Sequence, residues 1–434
     1  MCGIAGAFAF KQEGRKYLDR ISDAVSCIPH RGPDGQGVFQ DETAALGHRR
    51  LSIIDTSSAA NQPMYSKDRR FVIIFNGEIF NYKQLVNTYF THHSFQTSSD
   101  TEVFIELFIK KGPECFTDLR GFFAAAIYDL QEKEMYVVRD RYGKKPLHYR
   151  QNEEGLVFSS ELKQLFAFGI KKELNAAALP YYLQLNYIPQ PLSILKGVSK
   201  LNPGCFLRIT ASGVEEKKYY ELEIREKEYQ KFTYDQAKDH LVHLLDEATQ
   251  LRLISDVPLG AFLSGGIDSS VVVALASKHR QQLKTFSIGY KDHPHFDETY
   301  YANLVAKKYN TQHTVFSLTN NDFLEHIDDV LNFIDEPFAD TSSIPTFILS
   351  KQTRKHVTVA LSGDGGDEVF AGYNKYSAEW LTMQPSLKKS LVKNLKPLWN
   401  VLPKSRNSKI TNKIRQLHRF AEGANLSAKD RYWR

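Results

Sequence analysis

The chain of 434 residues is 42% hydrophobic and 24% charged, with a formal net charge of +6. That length allows two or three domains with their own cores, and the balance is that of a globular protein, not a fibrous or low-complexity one. No apolar run is long enough to cross a membrane, no basic region leads the first apolar residues as in a signal peptide, and an excess of +6 over this length gives no ground for a nucleic-acid partner.

The first 210 residues carry short strand-like runs at 3–10, 71–75, 124–128, 135–139 and 156–159. Turn signals separate them, among them Arg31-Gly32-Pro33-Asp34-Gly35 and Asn202-Pro203-Gly204, and residues 100–110 have helical periodicity. An α+β sheet domain over residues 2–210 is expected. A charged stretch at 215–231 marks a linker, placed at 211–232. Beyond it, Leu241, Leu244, Leu245, Ala248 and Leu251 share one helical face. Apolar runs at 257–263, 270–278, 285–289, 300–309 and 357–361 then follow as strands and helices in alternation. This order predicts an α/β domain over 233–434, with a parallel sheet and a nucleotide at the strand C-termini. The basic stretch 388–419 reads as a solvated helical face. Four cysteines, Cys2, Cys27, Cys115 and Cys205, show no paired metal spacing, so a reduced, cytoplasmic protein with at most one special thiol is expected.

Cys2 follows the initiator methionine and precedes a glycine. Once Met1 is trimmed, this residue carries both a thiol and a free α-amine, whose ordinary pKa near ~8 lets it serve as a base toward the neighbouring nucleophile. Alone, a second-position cysteine is a weak signal. It keeps company with His30-Arg31-Gly32-Pro33-Asp34, His48-Arg49-Arg50-Leu51-Ser52-Ile53-Ile54-Asp55, Asn76-Gly77-Glu78-Ile79-Phe80-Asn81 and Ser98-Ser99-Asp100-Thr101-Glu102. Together these segments resemble the class II, N-terminal-nucleophile glutamine amidotransferases, and the likeness runs on through Arg139-Asp140-Arg141-Tyr142-Gly143 and Lys145-Pro146-Leu147.

The resemblance implies a sandwich domain with Cys2 as nucleophile and a glutamine pocket built from Arg50, Leu51, Ser52, Ile53, Ile54, Glu78 and Asp100. Arg50 would clamp the α-carboxylate with its rigid fork of donors, and Asp100 would accept from the α-ammonium. Asn76 and Gly77 would form the oxyanion hole. Read without the resemblance, Asn-Gly is more often a hairpin turn.

In the second half, Leu263-Ser264-Gly265-Gly266-Ile267-Asp268-Ser269-Ser270 follows an apolar strand and opens a helix. Glycines, serine hydroxyls and a helix N-terminus together suit an anion, although no Walker lysine follows. The run resembles the loop of ATP pyrophosphatases (PP-loop enzymes), which cleave between the α- and β-phosphates. Farther on, Ser362-Gly363-Asp364-Gly365-Gly366-Asp367-Glu368 packs three acids among three glycines, a poor core and a reasonable Mg²⁺ site. With Asp256-Val257-Pro258-Leu259-Gly260, Phe286-Ser287-Ile288-Gly289 and Asp335-Glu336-Pro337-Phe338-Ala339-Asp340, these match the synthetase domain of glutamine-hydrolysing asparagine synthetases.

That resemblance implies that Leu263 and Ile288 frame adenosine, with Ser362 and Gly363 contacting it. Ser264, Gly265, Gly266 and Ser269 would bind the phosphates, Asp268 and Asp367 would hold Mg²⁺, and Asp364 would shape the step forming the acyl-adenylate. The implied substrates are glutamine, aspartate and ATP, and a homodimer is a family-level expectation. Two other readings stay open: amidation of a different carboxylate, such as a sugar acid, or a non-catalytic chain that only binds glutamine or ATP. The last residues, Asp430-Arg431-Tyr432-Trp433-Arg434, look like the middle of a helical region, so a chain incomplete at its C-terminus, with glutaminase activity alone, is also an expectation.

Overall fold

A computed structural model describes residues 1–224, 231–384, 387–405, 408–424 and 426–432. The end of the chain at Trp433 and Arg434, and the middle of the expected linker at 225–230, lie outside the described residues. The chain divides into two compact units: Met1–Leu259 with Leu324–Val359, and Gly260–Phe323 with Ala360–Arg434.

The first unit holds two six-stranded antiparallel sheets. One runs Ser199–Lys200, His148–Gln151, Gly155–Ser159, Gly3–Ala9, Ala44–Arg50, Gly35–Gln40; the other runs Gly213–Lys218, Cys205–Thr210, Glu134–Arg139, Gly121–Asp129, Phe71–Ile79, Met64–Tyr65. Alternation along the strands builds the layers. Ile4 and Phe8 from the first sheet meet Val72, Ile74, Ala124, Ala126 and Val137 from the second in a core between the sheets. The intervening residues face outward onto helices: Ala5 and Ala7 pack with Leu18, Ile21, Val25 and Leu165, while Ile73, Phe75, Phe123 and Ile127 pack with Phe104, Leu107 and Phe108. With both faces of each sheet covered, the central strands are apolar throughout, which is why they stand out in the sequence as short continuous runs.

Local signals fix the helices. Ser99 accepts from the N–H of Thr101 and starts the helix Asp100–Lys111, whose first turn is acidic and last turn basic, as the helix dipole favours. Gly112 ends it at φ +63°, a backbone conformation that costs glycine little.

Two features depart from the division expected on sequence texture. The stretch expected to be a linker begins as an edge strand, Gly213–Lys218, paired to Cys205–Thr210. The helix Tyr234–Arg252 belongs to the first unit: Glu247 pairs with Arg120 at 2.7 Å, and the Arg252 guanidinium lies 4.6 Å from the centre of the Phe80 ring. Charge pairing and aromatic contact set its place, and neither shows in local periodicity.

The second unit contains a four-stranded sheet ordered Gln312–Leu318, Lys284–Tyr290, Leu259–Phe262, Val359–Leu361, parallel across the first two pairs. Gln312–Leu318 is absent from the strands expected above. It is an edge strand with polar residues and only Leu318 fully buried, so its hydrophobic signal is weak. Helices Ile267–His279 and Thr299–Lys308 follow the strands as the alternation predicts.

Loop 140–145 of the first unit hangs on one carboxylate. Asp140 is fully buried and accepts from the N–H groups of Phe123, Tyr142, Lys144 and Lys145 at 3.0–3.2 Å. Asp140→Ala orphans these donors and should lower unfolding free energy by about 3 kcal/mol, measured by urea denaturation.

Candidate functional site

Cys2 immediately precedes the strand Gly3–Ala9, so strand pairing fixes where its main chain starts. Its Sγ accepts from the N–H of Leu51 at 3.3 Å, and its carbonyl accepts from Arg31 Nε at 2.8 Å. Burial pushes the thiol up, opposed by the Leu51 N–H, the terminal amine, Lys145 and Arg31. Burial also brings the Met1 amine down to about 6, with Arg31 and Lys145 lowering it further and Cys2 opposing.

Arg31 is fixed in turn by Glu161, which accepts from Arg31 Nη1 at 3.0 Å, pairs with His30 Nε2 at 2.9 Å and binds Lys163 Nζ at 2.9 Å. Burial would push this carboxyl up, but Lys163, His30 and Arg31 outweigh it and bring it down to about 2.

Asn76 and Gly77 are not a turn. They lie within the strand Phe71–Ile79, opposite Ala124 and Phe123. A Cβ on Gly77 would stand 2.6 Å from Phe123 Cβ, so only glycine fits. Asn76 is 1% exposed, and both its amide oxygen and its amide nitrogen lack a partner among the described residues. A buried amide left this way costs about 1–3 kcal/mol, and the cost is removed by a ligand that bonds to it. Neutral His48, its pKa brought down to about 3 by burial, joins Nε2 to Phe75 O at 3.1 Å and ties the strand bearing Arg50 to the strand bearing Asn76.

Glu78 and Asp100 lie close enough to act on one another. Burial pushes Glu78 up, with Lys145 opposing. Asp100 accepts from the Ile79 N–H at 2.9 Å, yet burial, reinforced by Glu78, pushes its carboxyl up to about 7. A cationic ligand would relieve both groups.

Arg50 is buried, with Nη1 donating to Ser57 O at 2.7 Å and Asn61 Oδ1 at 2.8 Å, and Nη2 donating to Asp55 O. Nε and one Nη2 hydrogen remain without a partner among the described residues. Arg50 and Ser52 line a cavity of about 440 Å³ together with Asp34, Asn61, Arg354 and Thr358. Leu51, Ser52, Ile53 and Ile54 are half-buried and form one wall of the loop: Ser52 N–H goes to Asp34 at 2.9 Å and Ile53 O accepts from Asp256 N–H at 3.0 Å. Lys145, Glu161, Asp256 and Arg354 did not stand out as site residues in the sequence. Only the Lys145-Pro146-Leu147 and Asp256-Val257-Pro258 runs hinted at the first and third of them.

In the second unit, the loops after two neighbouring strands, Leu259–Phe262 and Val359–Leu361, come into contact. Ser264 and Ser269 hydroxyls bond at 3.0 Å, and Gly266 N–H donates to Ser264 Oγ at 3.2 Å. Gly265 has φ +87°, and a Cβ there would meet Tyr301 Cβ at 2.6 Å. A Cβ on Gly363 would lie 2.6 Å from Ser269 N, and one on Gly366 would strike the Asp268 carboxylate. Leu263 is buried, Ile288 is half-buried on the adjacent strand, and Ser287 Oγ donates to Leu263 O. Asp364 accepts from Ser362 Oγ at 2.9 Å. Among the described residues no three His, Cys, Asp or Glu side chains form a ready metal cage. Two carboxylates on touching segments, Asp268 and Asp367, suit an ion that takes the rest of its shell from phosphate and water.

Residues 1–220 match the family model of the glutamine amidotransferase domain, and residues 240–433 match that of asparagine synthase. Relatives include a Methanocaldococcus jannaschii protein with a provisional asparagine synthetase name, 38% identical over 89% of this chain and 79% of that protein. Asparagine synthetase 1 of Bacillus subtilis is 34% identical over 89% of this chain, and asparagine synthetase B of Escherichia coli 31% identical over 86%; the chain spans 61% and 65% of their lengths. No described helix is long and apolar enough to cross a membrane. The two matched domains and the relative of which the chain covers 79% show that the chain belongs to the family of glutamine-hydrolysing asparagine synthetases.

Proposed function

We propose that the chain forms asparagine from aspartate, using ammonia taken from glutamine and energy taken from ATP. The orphaned Asn76 amide carries the reading for the first unit: a buried group with both polar atoms unfilled, next to a position where only glycine fits. With Met1 removed, the Cys2 amine takes the thiol proton and Sγ attacks the side-chain amide carbon of glutamine. Asn76 Nδ2–H and the Gly77 N–H would receive the developing oxyanion. Ammonia leaves, and water hydrolyses the γ-glutamyl thioester to glutamate. Arg50 would bind the α-carboxylate, while Asp100 and Glu78 would take the α-ammonium.

In the second unit, Ser264, Gly265, Gly266 and Ser269 would cradle the ATP phosphates, and Leu263, Ile288, Ser362 and Gly363 would border adenosine. Asp268 and Asp367 would hold Mg²⁺, which would neutralise charge on the departing pyrophosphate. Asp364 would stand at the activated aspartate carboxylate. The aspartate side-chain carboxylate would attack the α-phosphorus of ATP, releasing pyrophosphate, and ammonia would then displace AMP from the resulting acyl-adenylate to give asparagine. A site using free amino acids and ATP belongs in the cytoplasm, and a homodimer is part of the same family-level reading.

Three measurements test it. Cys2→Ala should abolish ammonia release from glutamine while keeping aspartate-dependent pyrophosphate release when ammonium is supplied; Cys2-independent ammonia, or no response to aspartate in either protein, refutes the corresponding half. Asn76→Ala should lower kcat for glutamine hydrolysis about 10²–10³-fold, with a smaller change in KM. Because Asp100 must lose its proton to accept the ammonium, and titrates at about 7 in the free site, KM for glutamine should fall as pH rises through about 7. A KM flat across that range would exclude Asp100 as the acceptor.

A further inference from the structure

The thiol's support reaches into the second half of the sequence. Arg31 holds the Cys2 carbonyl and Glu161 holds Arg31. Glu161 immediately precedes the helix Leu162–Ala167, at its N-cap. An N-cap side chain ordinarily serves the unpaired N–H groups of the first turn. Here the N–H groups of Leu162 and Lys163 go instead to the carboxylate of Asp335, the latter at 3.3 Å. The Glu161 carboxylate, which closes a capping box with the third residue of the helix, Gln164, is thereby relieved of the first two N–H groups and also reaches His30, Arg31 and Lys163. The same segment reaches this cluster a second time, where the Phe333 ring stands edge-on to His30 with centroids 5.1 Å apart. One residue on, Glu336 anchors the segment elsewhere, accepting from the Ile194 N–H at 2.8 Å and pairing with Lys200.

We propose that Asp335 is a positioning residue for the Cys2 nucleophile, sharing the cap of the helix Leu162–Ala167 with Glu161 so that Glu161 can also fix Arg31 against the Cys2 carbonyl. This rests on the glutaminase reading given above. Without Asp335, the orphaned Leu162 and Lys163 N–H groups compete for the Glu161 carboxylate, Arg31 loses its partner, and the Cys2 main chain is no longer held. A displacement on the order of 1 Å at a reacting atom costs up to about a hundredfold in rate. Glutamine binding does not pass through this chain of contacts, so KM is spared. Asp335 belongs to a run, 324–359, that continues directly into the acidic loop beginning at Ser362. The setting of the thiol therefore depends on residues from both halves of the sequence.

The test uses the full chain and measures ammonia release from glutamine. Asp335→Ala should lower kcat at least about tenfold with KM within about twofold, and aspartate-dependent pyrophosphate release with ammonium as nitrogen source should stay unchanged. Asp335→Asn, which keeps one accepting oxygen and serves if the alanine variant does not fold, should recover part of that loss. Glu336→Gln weakens the anchor but not the cap, and should lower the melting temperature while leaving kcat within about twofold. The proposal is overturned if Asp335→Ala and Asp335→Asn turn over like the unchanged protein, or if Glu336→Gln lowers kcat as much as they do. If the unchanged protein released no Cys2-dependent ammonia, the glutaminase reading would fall and this positioning role with it.

Discussion

As the proposed nucleophile, with Met1 removed, Cys2 would have main chain on one side only, so something other than its own backbone must hold it. Arg31 does this by donating to the Cys2 carbonyl, and the buried Glu161 makes Arg31 a fixed post by binding it together with His30 and Lys163. A carboxylate buried alone would be costly. Arg31 and Lys163 compensate its charge and His30 bonds to it, so removing Arg31 takes away the donor to the Cys2 carbonyl without leaving Glu161 alone. The strand Gly3–Ala9 sets the direction in which Cys2 emerges, because it is paired on both sides, to Ala44–Arg50 and to Gly155–Ser159.

Around that post, the proposed glutamine site is made of groups that lack a partner or are raised by burial. The Asn76 amide has no partner among the described residues, Asp100 has a carboxyl raised to about 7, and Glu78 is raised by burial beside it. In the proposed site the Asn76 amide would meet an oxygen that gains charge, and Asp100 and Glu78 together would meet an ammonium. Binding and catalysis are stabilised by the same deficits. The Asp140 carboxylate shapes the neighbouring loop from below, and it is fully served by backbone donors, as a purely structural acid should be.

The second unit reaches its site by close approach of main chain. Neighbouring parallel strands deliver two glycine-bearing loops to one end of the sheet, and Gly363 and Gly366 let the acidic loop lie directly on Asp268 and Ser269. A side chain at either glycine would separate the loops, and with them the serine hydroxyls from the acids.

Much of this was legible in the residues themselves. The two sheet classes, the strand–helix alternation after residue 257, and the glycine–serine and glycine–acid loops follow from patterns a few residues long, where local sterics and periodicity decide. Cys2, Arg50, Asn76, Gly77 and Asp100 could be singled out as candidates because their motifs are local and come in a fixed order. Other features needed the fold. Asn-Gly in isolation favours a hairpin; the pairing of Phe71–Ile79 with Gly121–Asp129 makes it the middle of a strand. The helix Tyr234–Arg252 looks amphipathic anywhere, and only Arg120, Phe80 and Phe122 assign it to the first unit. Glu161 and Asp335 are 174 positions apart and carry no shared motif, yet they meet at the first turn of one short helix. Sequence determined the chemistry of the reacting groups, since side-chain identity fixes what each can donate, accept or attack. Tertiary structure decided which distant charges hold those groups in place, because burial and pairing across the chain exist only once it has folded.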